Sequence, residues 1–369
     1  MEPAIRKVSI RGFRSIQELR DFELRPLNVL IGANGAGKSN FVQWFQLLHD
    51  MIWERLQVAV RAAGGADRQL YLGPQVTAAI DAAVEFPQRA VNGRIDRWEF
   101  KLIPTADNTL TVADEIWWRG QTFARLANGS PEAKIGVFSF RTGEIPVRGS
   151  DRDQAPALRV YHFPNTGMTA PPRRPVTVRL GGLFSADGQN VAAVIRSLRQ
   201  NNPAIYERLR DMVRLVAPFF DDFILSTTLA GDDTDTWLDW KQRGSDYPLL
   251  PSQLSDGTLR FICLATALLQ HDPPGLVIID EPELGLHPHA LGILAALMKS
   301  AATQRQLIVA TQSPAFLDEF DPADVIVVER QESGASRFSR LQPQGLETWL
   351  KDYSLGDLWR KNFLPGGGI

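Results

Sequence analysis

Cysteine is nearly missing from this chain: Cys263 stands alone among 369 residues. A lone thiol excludes an internal disulfide and fits a reducing cytoplasm. Cys263 lies inside an apolar helical run, so a buried thiol acting as a small hydrophobe is expected there rather than a reactive one. Long apolar runs are missing too. None approaches the ~18 residues of a membrane span, and Met1-Glu2-Pro3-Ala4-Ile5-Arg6 lacks the apolar core of a signal peptide. A cytoplasmic protein, neither exported nor embedded in a membrane, is expected. An excess of either charge is also lacking. The formal net charge is -2, so no global basic field argues for nucleic acid and no acidic tail argues for a solvating segment. Heptads and internal repeats are absent from the sequence pattern. What is present is ordinary globular composition, 44% hydrophobic and 22% charged, with enough chain for one large domain or two of usual size.

One stretch departs from the ordinary. Gly32-Ala33-Asn34-Gly35-Ala36-Gly37-Lys38-Ser39 fits the phosphate-loop pattern of Gly, four residues, Gly-Lys-Ser. The run Pro26-Leu27-Asn28-Val29-Leu30-Ile31 before it has strand length, and Phe41, Phe45, Leu48 and Ile52 after it are spaced for one helix face. Glycines let backbone N–H groups converge on phosphate oxygens, and the helix aims its positive dipole end at the same charge. The candidate nucleotide contacts are therefore Gly32, Asn34, Gly35, Ala36, Gly37, Lys38, Ser39 and Asn40. Lys38 would neutralise the β- and γ-phosphates of ATP, and the Ser39 hydroxyl would ligate Mg²⁺. The alternative is an incidental glycine-rich turn.

The rest of the chain sets these residues in order. Ile5 to Leu24 reads as an antiparallel hairpin leading into the loop, and the helical pattern runs on through Met51 to Ala62 until Gly64-Gly65. Strands are expected over Val76 to Phe86, Arg97 to Ile103, Leu110 to Trp118 and Lys134 to Phe140, with turns at Asn92-Gly93 and Asn128-Gly129. Asn165 to Val176, rich in proline, reads as an exposed and mobile loop. Two helices follow, through Val191 to Leu198 and Ile205 to Val216. Phe223-Ile224-Leu225 and Trp237-Leu238-Asp239-Trp240 then look like strands joined by an acidic turn at Asp232-Asp233.

A second cluster of motifs closes the pattern. Leu276-Val277-Ile278-Ile279 is the continuous apolar run of a strand buried on both faces, and it ends in Asp280-Glu281, a Walker B pattern. Two acids there cost solvation free energy unless something compensates, and magnesium held by nucleotide phosphates is such a partner. Asp280 would meet the metal through water, and Glu281 would orient or deprotonate the attacking water. Taken alone, an acidic strand end can also be a surface turn. Upstream, Leu254-Ser255-Asp256-Gly257-Thr258 precedes the apolar helix Phe261 to Leu269, so Ser255 and Gly257 offer either a second anion site or a plain helix cap.

Together these motifs resemble ABC-type ATPases, with Asp256 and Thr258 departing from the transporter form Leu-Ser-Gly-Gly-Gln. The opening Ile10-Arg11-Gly12-Phe13-Arg14-Ser15-Ile16, the run Asp280 to Pro288, Thr311-Gln312-Ser313-Pro314 and the ending Tyr353 to Trp359 are similar to compact AAA-family ATPases of the RecF and SMC branch. That resemblance implies an α/β fold: a mainly parallel central sheet holding the strands before Gly32, Asp280 and Gln312, flanked by helices and extended by an antiparallel β-rich lobe. It implies one ATPase head over residues 1–345, β-rich across residues 1–180 and helical across residues 181–345, with a tail at residues 346–369. It also implies nucleotide contact by Arg14, a partner-facing loop from Leu284 to His287, and γ-phosphate sensing at 312. Arg14 could equally be a solvated strand arginine, and His287 a helix-end residue.

Gln312 stands where many relatives have histidine; its amide can donate to a phosphate oxygen but cannot become charged. ATP binding should survive, while the hydrolysis rate is in doubt. By the same resemblance the chain is an ATPase that forms a head-to-tail homodimer around two Mg-ATP, in phage defence or DNA repair. A low-turnover switch acting on a separate effector chain is the alternative; a transporter subunit fits least, because the signature and opening strand depart from that branch. Little chain follows Val328-Glu329, so a nuclease activity is expected to need another chain. DNA is the partner class implied, for which Arg173, Arg174, Arg196, Arg199, Arg208, Arg210 and Arg214 are candidate phosphate contacts or simply a solvated face.

Overall fold

The computed structural model describes residues 3–87, 95–135, 158–163, 165–230, 233–271 and 273–364. The chain divides into two compact units, Met1–Val160 with Pro274–Asp280 and Thr303–Ile369, and Tyr161–Pro273 with Glu281–Ala302.

In the first unit, β1 (Lys7–Phe13) and β2 (Ile16–Glu23) form the expected hairpin, pairing Phe13 with Ile16. They join β4 (Ile80–Glu85), β5 (Asp96–Pro104), β6 (Leu110–Arg119) and β7 (Thr122–Ala127) in an antiparallel sheet of order β2-β1-β4-β5-β6-β7. The strand expected from Val76 begins only at Ile80, because the Val76 and Thr77 amides turn back to the Gly73 carbonyl. A second six-stranded sheet comprises β3 (Leu27–Ile31), β8 (Leu158–Tyr161), β14 (Leu276–Asp280), β15 (Gln306–Thr311), β16 (Val325–Arg330) and β17 (Ser336–Arg340). Its order is β17-β16-β3-β15-β14-β8. Strands β14, β15, β3 and β16 pair in parallel, and β17 closes the edge antiparallel. This is the predicted architecture, a mainly parallel sheet accompanied by an antiparallel lobe.

The helix Lys38–Ile52 is buried on more than the one face its Phe41, Phe45, Leu48 and Ile52 spacing suggests: Val42, Trp44, Leu47 and Met51 are buried as well. Trp44 stacks on Phe100 of β5 at 5.7 Å and meets Phe13 of β1 edge-on at 5.3 Å, while the helix also packs on β14 and β15. A helix covered on both sides must be apolar nearly all round. The helical pattern does not run unbroken to Ala62. It stops at Trp53–Arg55, where Glu54 has φ 55°, and restarts as Leu56–Ala62 with the Glu132 carboxylate accepting the Leu56 and Gln57 amides at 2.8 and 3.2 Å. Glu115, fully buried in β6, accepts from Trp98 Nε1 (3.1 Å) and from the Lys134 and Ile135 amides (2.7 and 3.1 Å), and burial raises its pKa. Of the strand expected over Lys134 to Phe140, the described Lys134 and Ile135 are not in a strand; its other residues and the Asn92-Gly93 turn lie outside the described residues.

The second unit is helical: Val191–Asn201, Pro203–Val216, Asp256–Leu269 and Pro288–Ala302. Strands β10 (Phe220–Ile224) and β13 (Asp239–Gln242) pair antiparallel and overlap the two expected strands at Phe223-Ile224 and Asp239-Trp240. They are not joined by a simple turn, since the hairpin β11 (Thr227–Ala230) and β12 (Asp233–Thr236) intervenes and extends through β9 (Val176–Thr177). Asp232 of the expected acidic turn lies outside the described residues. The arginines of the helical pair are tied to their own surroundings. Arg196 donates to Leu225 O (2.9 Å), Arg199 to Phe223 O (3.4 Å) and Arg208 to Ser300 Oγ (3.1 Å). Arg214 pairs with Asp221 at 2.8 Å, and Arg210 with Asp211 at 3.2 Å. None of the described helices is long and apolar enough to cross a membrane.

Candidate nucleotide site

The parallel sheet brings three motif-bearing strand ends to one edge. Asp280 pairs in register with Ala310, Ala310 with Leu30, and Thr311 with Ile31. The residues that leave the sheet next are Glu281, Gln312 and Gly32. Each strand is buried on both faces, which is why its sequence is a continuous apolar run. In open α/β sheets ligands bind outside the carboxyl ends of the strands, which is where these residues lie.

The loop itself is built for an anion. The helix Lys38–Ile52 starts at Gly37, with φ 118°, no side-chain cap and no acid in its first turn, so the dipole end carries no built-in counter-charge. Nothing lies within 4 Å of where a Cβ on Gly35 would stand, which leaves room for a ligand over the backbone. Lys38 is buried, and its ammonium donates to Gly32 O at 2.6 Å and Ala33 O at 3.2 Å, curled over the loop it serves. Asn34 and Ser39 are exposed beside it, and Ala36 is buried. A phosphate chain fits this donor set.

Behind the loop lies a network the sequence did not disclose. Ser336 Oγ donates to Ala36 O (2.6 Å) and bonds Ser15 Oγ (2.7 Å), while Asn40 Nδ2 donates to the same Ser15 hydroxyl at 2.6 Å. The amide of Asn40 thus braces the loop from below. Arg330 Nη1 reaches Gly35 O at 3.2 Å. A side chain on Gly37 would overlap the Ser336 hydroxyl and sit at an unfavourable φ. Gly37→Ala should therefore cost about 1–3 kcal/mol of stability and weaken nucleotide binding; thermal unfolding alongside a nucleotide titration reads both, and an unchanged pair of values would refute this account.

Arg14 and Glu281 share an uncommon backbone, with φ 49° and 50°. Arg14 sits at the tip of the β1–β2 hairpin, Nε donating to Gln69 Oε1 at 3.2 Å, and burial lowers its pKa. Gln312 is exposed at the end of β15, followed by Ser313, which caps the short helix Pro314–Leu317 through Phe316 N. Asp280 is half-buried at the end of β14.

In the second unit, Ser255 is exposed and acts as N-cap of Asp256–Leu269, its hydroxyl accepting from Thr258 N (3.1 Å) and lying 2.8 Å from Thr258 Oγ1. Thr258, where the transporter motif has glutamine, therefore completes the cap. Gly257 has a separate reason to lack a side chain: a Cβ would collide with the Gly285 carbonyl. Arg260 fastens the same contact, bonding Leu284 O and, at 2.9 Å, Phe163 O. The segment Leu284 to His287 is thereby packed against the signature helix, with Leu284 and His287 exposed. Cys263 is fully buried in that helix and its thiol is pushed up to about 12, in keeping with a packing role.

The stretch Asn165 to Val176, expected to be an exposed loop, is exposed only in part: Asn165, Met168, Thr169, Arg174 and Pro175 face solvent, and the rest turns inward. Thr166, Ala170, Pro172 and Arg173 are buried, and Arg173 reaches the signature loop. Arg173 is thus withdrawn from the set of solvent-facing phosphate contacts.

A parallel sheet with the glycine loop after β3, the Asp280-Glu281 pair at the end of β14 and a helix capped by Ser255 is the fold of an ABC-type ATPase head. Solved structures share the fold. The Smc head bound to the C-winged helix domain of ScpA aligns with TM-score 0.61 and 16% identity over 95% of this chain and 100% of that one. The Smc head with an extended coiled coil bound to the C-terminal domain of ScpA, derived from Pyrococcus furiosus, gives 0.59 and 14% over 95% and 99%. Residues 27–318 match the AAA_21 family, described as "AAA domain, putative AbiEii toxin, Type IV TA system", and the chain belongs to that family. A curated relative, the OLD nuclease of Thermus scotoductus, is 24% identical over 327 residues; the alignment takes in 85% of this chain and 60% of that protein's length.

Proposed function

We propose that the chain binds ATP with magnesium, hydrolyses it, and closes into a head-to-tail homodimer around two nucleotides. The observation that carries this reading is the shared edge at which Gly32, Gln312 and Asp280-Glu281 leave three neighbouring strands. In this reading residues 1–345 are one ATPase head, with residues 346–369 as its tail. Lys38 turns from the Gly32 and Ala33 carbonyls to the β- and γ-phosphates, while the uncapped helix N-terminus and the loop amides hold the rest of the chain of phosphates. Among the described residues no three His, Cys, Asp or Glu side chains gather. Magnesium would accordingly be held by the Ser39 hydroxyl, phosphate oxygens and water bonded to Asp280, and when bound it screens the charge on the transferred phosphoryl group. Glu281 orients the attacking water and takes its proton, and Gln312 donates to the γ-phosphate. Ser255, Gly257 and the Leu284 to His287 loop meet the nucleotide of the other subunit, and Arg14 adds a cation beside its own.

Sedimentation of Glu281→Gln with ATP, with ADP, and with Ser255→Arg added tests assembly. Linkage requires dimer affinity to follow the nucleotide that both subunits share. ATP-specific dimerisation lost on Ser255→Arg is expected. A dimer in all three conditions would mean that Ser255 is only a helix cap, and a monomer in all three would point to a different partner chain.

A second reading rests on Gln312, which cannot carry charge: a slow ATP-dependent switch that acts on a separate effector in one nucleotide state. The relative named a nuclease supplies the effector class for this reading, and the resemblance to the RecF and SMC branch supplies DNA as the partner and phage defence or DNA repair as the setting. Turnover below the dissociation rate of the ATP-bound dimer would favour it.

A further inference from the structure

We infer that Arg173 is a positioning residue for the signature loop, holding Ser255 and Gly257 in the geometry that the proposed dimer site needs. The inference rests on that reading of the signature. The Arg173 side chain is 3% exposed, and a buried guanidinium must have its donors met. Its Nε donates to Thr166 O (2.8 Å) and Gly167 O (3.1 Å), its Nη1 to Pro251 O, and its Nη2 to Leu254 O (3.1 Å) and Asp256 Oδ1 (2.8 Å).

The distribution of these partners matters. Pro251 and Leu254 belong to the turn that delivers the chain to Ser255, and Asp256 is the residue directly after it. One planar fork thus grips both sides of Ser255 while leaving that residue exposed. Gly257 in turn sits so close to the Gly285 carbonyl that a Cβ would collide with it, so the exposed N-terminus of the signature helix is held at two points. The same geometry accounts for the aspartate at 256 where the transporter motif has glycine: Asp256, 62% exposed, answers the charge of Arg173 and lies in the first turn of the helix, where an anion is favoured. Lysine at 173 would bring a point charge with three donors and could not span the five acceptors.

The test compares wild type, Arg173→Lys and Asp256→Asn by amide exchange of residues 252–259, nucleotide binding to the monomer, and ATP-dependent dimerisation with steady-state hydrolysis. Arg173→Lys is expected to speed exchange in 252–259, leave monomer ATP affinity within about twofold, and lower dimerisation and kcat by roughly tenfold to a hundredfold, without a matching change in KM. Asp256→Asn, which keeps an acceptor but removes the charge, should show the same pattern at smaller size. Unchanged exchange and unchanged dimerisation in Arg173→Lys would overturn the inference. If Arg173→Lys unfolds the whole chain, Asp256→Asn decides: local loosening supports the role, and wild-type exchange ends it. If wild type neither dimerises nor turns over with ATP, the functional reading fails, and exchange at 252–259 still tells whether Arg173 fixes the loop.

Discussion

Lys38→Ala is expected to weaken ATP binding by roughly a hundredfold to ten-thousandfold, from two charge-assisted phosphate contacts at about 1.5–3 kcal/mol each. The ammonium is buried and bonded to Gly32 O and Ala33 O, so it is held at the loop until the phosphates take over its donors. Its loss removes positive charge from the mouth of the loop. Isothermal titration with ATP reads the affinity, with thermal unfolding as a check that the sheet survives. Affinity equal to wild type would remove the phosphate loop from the nucleotide site altogether.

Glu281→Gln is expected to act on the other quantity. Binding should stay within about threefold, whereas turnover should fall by about 10²–10⁴, the usual range for loss of a general base. Glutamine keeps the shape of glutamate and can still hold a water, but it cannot take the proton. Glu281 occupies a left-handed backbone position at the strand end, φ 50°, and such strain at a non-glycine residue is commonly kept where it aims a side chain. Single-turnover hydrolysis with saturating ATP makes the comparison. Turnover within threefold of wild type would show that another group activates the water, and loss of binding would show that Glu281 holds the nucleotide instead.

The sheet was legible because burial on both faces leaves an unmistakable trace. Leu27–Ile31, Leu276–Asp280 and Gln306–Thr311 are apolar except at Asn28, Asp280, Gln306 and Thr311, and nearly all of their residues are buried. The supports of the loop were not legible, because their partners are remote in sequence. Ser336 braces Ala36 from 300 residues away, Glu132 caps a helix 76 residues upstream of it, and Arg173 meets Asp256 across 83 residues. Proline density at 171–175 suggested an open loop, yet Pro172 and Arg173 are buried there, and Arg173 takes acceptors both from Thr166 and Gly167 and from residues 251–256. The bonds of the helical arginines were hidden for a related reason. A charge on an amphipathic helix looks the same in sequence whether it faces water or ties down the carbonyls of an adjacent strand, as Arg196 and Arg199 do at Leu225 and Phe223.

The solitary thiol has a practical side. Cys263 is shut inside the signature helix, and its acidity is suppressed to a pKa of about 12, so almost no thiolate exists near neutral pH to attack a maleimide or a spin label. A cysteine introduced at an exposed position, such as Leu284 or Trp349, would then be the sole reactive one in 369 residues, with no native residue to remove first. Distance and fluorescence measurements on the native sequence background can follow from one substitution at a time.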